Sequence, residues 1–106
     1  MIKIKINEHD YIDSVEIIGH ANYNDYGKDI VCASVSSIAI TTVNSLIKLG
    51  KDIDYEEKEG YLNITINSHD EVTDKLIDNM IDLFSELEKQ YEKNIKIGRC
   101  HLWWCN

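Results

Sequence analysis

Nowhere in the 106 residues is there an unbroken run of eighteen or more apolar residues. A bilayer-crossing helix needs that length, so no membrane span is expected. The N-terminus alternates isoleucine with lysine, Ile2-Lys3-Ile4-Lys5-Ile6, and lacks the continuous apolar stretch of a secretory leader. A cytoplasmic location is the expectation. Cysteine is scarce and odd in number: three, with Cys32 far in sequence from Cys100 and Cys105. A secreted disulfide framework is thereby disfavoured, and a reducing compartment suits a reactive thiol. Basic stripes are missing too. The net charge of −8 sits in segment 51–60, with five acids against two bases, and in segment 70–94, with eight against three. Direct nucleic-acid binding is not expected, because nothing is placed to neutralise phosphates. No internal repeat, linker or low-complexity tract divides the chain, and its length fits one domain.

What is present reads as alternating elements. Residues 2–6 and 11–20 read as two strands joined by the turn cluster Asn7-Glu8-His9-Asp10, with Val15 and Ile17 on one face and Glu16 and Ile18 on the other. Ile30 to Leu49 reads as a helix with no charge before Lys48, and Gly50 is placed to stop it. A helix without a charged face is normally buried on more than one side. Residues 53–58 and 61–67 read as a second hairpin with Leu62, Ile64 and Ile66 inward. Ser68 and Glu71 fit a capping box. The helix that follows presents Val72, Leu76, Met80, Leu83, Phe84, Leu87 and Tyr91 on one face and acids on the other. A short strand, Asn94 to Ile97, closes the order ββαββαβ. The expectation is a two-layer α+β domain over residues 1–97, with a mixed sheet and two helices, followed by a tail over 98–106.

The chemistry lies between Gly19 and Ser37. His20 ends one apolar run, and Cys32 opens the next twelve residues later. Between them Asn22, Tyr23, Asn24, Asp25, Tyr26, Gly27 and Lys28 form a polar, turn-prone loop, a candidate substrate lid. Asp29 stands where an N-cap would be, which puts Cys32 at the third helical position, near the positive end of the helix dipole. That placement favours thiolate over thiol, and a nearby imidazole would favour it further. Gly19 allows a close backbone approach or an unusual φ before His20. Ser36 follows Cys32 by one turn on the same face, as a hydrogen-bonding support.

The pattern G-H-A, a short loop, then G-x-D-I-V-C-A-x-V-S resembles the ribosomal-processing cysteine proteases, the Prp family. The resemblance extends in length and element order from Met1 to about Ile97; the closing residues GRCHLWWCN depart from it. It implies a catalytic dyad of His20 and Cys32, a substrate that is the N-terminal extension of a large-subunit ribosomal protein, cleavage after aromatic residues, and a homodimer. No cofactor is implied.

Each residue also has a plainer explanation. A lone cysteine in an apolar helix is ordinarily a small buried hydrophobe, and N-capping alone accounts for Asp29, the other reading being a third catalytic member that orients His20. His9 and His69 read as solvated surface histidines. Cys100, His101, Trp103, Trp104 and Cys105 lack the paired spacing of a structural zinc site, so no metal is expected; a redox role would need Cys100 and Cys105 to meet. The rival to a protease is a non-enzymatic acidic module that binds a basic ribosomal protein or assembly factor.

Overall fold

The computed structural model describes residues 1–19 and 26–101. Strand β1 (Ile2–Glu8) pairs antiparallel with β2 (Ile12–Ile18), whose other side takes β4 (Tyr61–Ile66); β3 (Ile53–Lys58) lies beyond β4. The last strand, β5 (Ile95–His101), runs parallel to β1 and gives the order β3-β4-β2-β1-β5. Helices α1 (Tyr26–Lys48) and α2 (Glu71–Gln90) complete the order ββαββαβ. The fold is the two-layer α+β arrangement with a mixed sheet that the sequence suggests.

Period-two alternation builds the sheet's buried face, since successive side chains point to opposite sides. Ile2, Ile4, Ile6, Val15, Ile17, Leu62, Ile64 and Ile66 are buried, while Ile18, the neighbour of Ile17, is exposed. Val31, Val35, Ala39, Val43 and Leu46 of α1 join this core, with Ile77, Met80, Ile81 and Phe84 of α2. The face of α2 differs from the expected one. Thr73, Ile77 and Ile81 are buried, whereas Val72 and Leu83 are exposed. Apolar residues spread around about half of this helix's circumference, so two overlapping stripes fit the pattern and packing on the sheet selects one.

The expected stop of α1 is present. Gly50 has φ +73°, its N–H donates to the Ile47 carbonyl at 3.0 Å, and the Lys51 N–H donates to the Leu46 carbonyl at 2.9 Å. That pair of bonds is a Schellman cap, which only a residue at ease with positive φ completes without strain. By length and composition Ile30–Lys48 would also suffice to cross a membrane; its serines and threonines break the apolar run without making it hydrophilic. In this fold one side of it lies in the core.

Several boundaries move, two of them around α2 and β5. The cap of α2 is Asp70, not Ser68: the Asp70 Oδ1 accepts the Thr73 N–H at 2.8 Å, and Lys51 Nζ lies 3.1 Å from Oδ2. The Thr73 N–H first, then Lys51, hold the Asp70 carboxyl below its usual pKa of 3.8. A depressed folded-state pKa stabilises above the ordinary carboxylate value and is lost as pH falls through the depressed one. Protection factors of the amides at the start of α2 should therefore fall below about pH 4, and Asp70→Ala should flatten that dependence. Unchanged pH dependence in the variant would show that another group anchors this turn. The second move is in β5, which runs through Gly98–His101. The domain boundary expected after Ile97 thus falls inside a strand.

Candidate active site

Strand β2 leads straight into the site. After Ile18 the chain passes through Gly19 at φ +89°, where an added Cβ would stand 2.7 Å from the Met1 carbonyl oxygen. The Gly19 N–H donates to the Gly60 carbonyl at 2.8 Å, which ties the exit of β2 to the β3–β4 turn. Both properties foreseen for Gly19, unusual φ and close backbone approach, are present. His20 and residues 21–25 lie outside the described residues, so the His20 reading and the lid positions Asn22, Tyr23, Asn24 and Asp25 have no structural counterpart here.

Helix α1 begins at Tyr26. Tyr26, Gly27 and Lys28, expected in the loop, therefore have helical backbone. Asp29 is the fourth residue of the helix, not its cap, because a cap residue stands outside the helical dihedrals. Cys32 becomes the seventh residue, not the third. The field of the helix terminus falls off within the first turn, so little of any thiolate stabilisation at Cys32 comes from the dipole. Asp29 misled because an acid after a turn-rich loop reads as a cap, whereas the helix starts inside that loop.

Cys32 itself is half-buried, packs against the core cluster and carries a thiol instead of a disulfide. Ser36, also half-buried, follows one turn later. Other hydroxyls of the helix are turned back on its own carbonyls: Ser34 donates to Ile30, Thr42 to Ile38 and Ser45 to Thr41, at 2.8 to 3.0 Å. Such bonds let a helix carry polar residues without a charged face. On the uncovered side of the sheet, near the exit of β2, the Tyr61 hydroxyl donates to Glu16 Oε2 at 2.9 Å. That bond holds the Tyr61 phenol above its ordinary pKa.

The opposite end of the sheet holds a network the sequence reading missed. Asp13 bridges His9 and His69, bonding His9 Nδ1 with one oxygen and lying 3.5 Å from His69 Nε2 with the other. His69 Nδ1 is 3.0 Å from Asp74 Oδ1, and the Tyr11 ring stacks on His69 with centroids 4.8 Å apart. These histidines join the first hairpin to the start of α2. Residues sixty positions apart meet here, so no local signal announces the network. Among the described residues no group of three or more His, Cys, Asp or Glu side chains is arranged to hold a metal. Cys100 is buried where β5 lies beside Asn7.

Residues 1–96 match the sequence model of the family described as cysteine protease Prp. This chain belongs to that family. Its resemblance to the Staphylococcus aureus ribosomal processing cysteine protease Prp is 28% identity over 101 residues, covering 92% of this chain and 95% of that one. The S. aureus Prp crystal structure with a substrate peptide superposes with a TM-score of 0.88 at 25% identity, covering 94% of this chain and all of that one. Another, with a covalently linked product peptide, gives 0.83 at 26% identity and the same coverage. As a Prp-family protein the chain is a cysteine protease, and the non-enzymatic module gives way to that reading.

Proposed function

We propose that this protease removes the N-terminal extension of a large-subunit ribosomal protein, with Cys32 as nucleophile and His20 as general base and acid. The observation that carries the reading is the family match across residues 1–96, which includes the one thiol in α1. The S. aureus relative is named for ribosomal processing, and a product peptide covalently linked in its crystal structure is what a nucleophilic mechanism leaves behind.

In the proposed cycle, His20 takes the Cys32 proton and the sulfur attacks the scissile carbonyl carbon. The tetrahedral oxyanion requires N–H donors aimed at it. The C–N bond breaks as His20 returns the proton to the departing amine, leaving a thioester on Cys32. His20 then deprotonates water, which attacks the thioester; the C–S bond breaks, and the thiolate regains its proton. With the dipole remote from Cys32, His20 carries most of the thiol activation. Incubation with an extended ribosomal-protein N-terminal peptide, read by mass spectrometry, tests the function. His20→Ala should also shift the alkylation profile of Cys32 to higher pH, since the thiolate loses its cationic partner. An unchanged profile would dissolve the dyad.

The active protease is, on this reading, a homodimer. Ile30, Ala33, Ser37, Ile40, Asn44 and Ile47 recur at alternating spacings of three and four and are exposed along α1. Apolar and small residues at that period make a seam for a second helix, and a polar residue such as Asn44 within it fixes register. Two-fold pairing of α1 with its copy covers both seams at once, at about 25 cal/mol per Å² of apolar area removed from water. Light scattering should give about twice the 12.3 kDa chain mass, falling to one chain in Ile40→Glu. A wild-type monomer at micromolar concentration would sink the dimer.

A further inference from the structure

Strand β3 is one edge of the sheet, and among the described residues no strand pairs with its outer side. An edge strand presents alternate N–H and C=O groups outward, a template for one more strand. Asp54–Lys58 are all exposed, so the helix layer leaves both faces of this strand open. Register fixes which side chains border a newcomer. Tyr55 and Glu57 stand beside the inward-facing Ile64 and Leu62, while Asp54, Glu56 and Lys58 share the other face with Thr65, Asn63 and Tyr61. Segment 51–60 carries five acids against two bases. Position matters as much as charge. Lys58 leads through Glu59 into Gly60, whose carbonyl takes the Gly19 N–H. The far end of β3 is thus tied to the residue that precedes His20.

We propose that β3 is a docking edge for the substrate, to which an extended segment rich in lysine and arginine adds as a sixth strand. This rests on the protease reading. Main-chain bonds to the edge hold the segment, Asp54 and Glu56 meet its basic side chains on one face and Glu57 on the other, and the Tyr55 ring offers a shelf for a guanidinium. Charge selects the occupant. Antiparallel pairing with a second copy sets Glu56 against Asp54 when centred on Tyr55, or against its own copy when centred on Glu56, and like charges directly opposite are destabilising. A protein that binds ribosomal RNA must carry lysine and arginine to neutralise phosphates, so the substrate class holds the complementary charge.

The test uses two peptides with one scissile sequence, one continuing into a lysine- and arginine-rich flank and one into a neutral flank. Wild-type enzyme should show a KM about tenfold lower for the basic flank, with the advantage fading as salt rises. In D54K/E56K, with the fold checked by circular dichroism, the preference should vanish. Equal KM for both peptides in the wild type, or a preference kept by the double variant, overturns the proposal. Amide exchange of Cys32→Ala with the basic peptide reads docking without turnover: new protection on alternate amides of 53–58 is expected, and its absence counts against the edge. If neither peptide is cut by the wild type, the protease reading fails, and this exchange measurement still decides the edge by itself. Protection of β3 that grows with protein concentration and needs no peptide would assign the edge to a second copy and overturn the proposal.

Discussion

Cys32→Ala should abolish peptide cleavage and leave the fold in place. Removing the nucleophile of a covalent hydrolase costs on the order of 10⁶ in kcat, because the remaining groups act as a unit with it. The structural cost is small by contrast. Cys32 is half-buried at the margin of the core, not at its centre, and alanine is the residue best suited to a helix interior. The two effects separate cleanly: mass spectrometry should find intact peptide, while thermal unfolding shifts by no more than a few degrees. Cleavage retained by this variant would remove Cys32 from the mechanism. Loss of cleavage accompanied by collapse of the melting transition would mean the residue is structural.

Gly19→Ala should damage both stability and turnover, and Gly50→Ala is its control. Both glycines have positive φ, +89° and +73°, so both substitutions bring the strain of a side chain in the left-handed region, about 1–2 kcal/mol. They differ in what the new methyl meets. At Gly50 nothing lies within 4 Å, but at Gly19 the Met1 carbonyl oxygen is 2.7 Å away. That carbonyl cannot swing aside freely, since the next residue, Ile2, donates its N–H to Asn94 at 2.8 Å. Gly19→Ala should therefore cost about 1–2 kcal/mol more than Gly50→Ala in urea unfolding, in line with overpacking penalties. It should also lower kcat, because a shifted strand exit moves His20. Equal losses at the two positions would show that the chain end relaxes and the close approach is incidental.

The strands were legible because their period is short and their alternation clean: 53–58 coincides with β3, and Leu62, Ile64 and Ile66 face inward as expected. Gly50 was legible because a glycine after the last apolar turn has few other uses. The failures share a cause. The start of α1, the cap of α2 and the buried face of α2 each offered two local solutions, such as Ser68 or Asp70, between which only tertiary packing decides. Asp70 wins because Lys51, delivered by the end of α1, reaches it. At the site, Gly19 and Cys32 were visible as residue types in a pattern. The distance of Cys32 from the helix start was not, because Asn, Asp and Gly in the preceding loop hide a turn of helix.

The parallel pairing of β1 with β5 has a consequence for how the molecule is made. Strand β1 receives one of its neighbours only once β5 has followed it out of the ribosome, Ile2 beside Ile95 and Ile6 beside Arg99. At about 5–20 residues per second, β1 waits several seconds with one flank bare. Its alternate lysines, Lys3 and Lys5, discourage pairing with a foreign strand during that wait. Ile95, buried in the core, arrives only with β5. A nascent chain therefore cannot close its core until β5 has been translated.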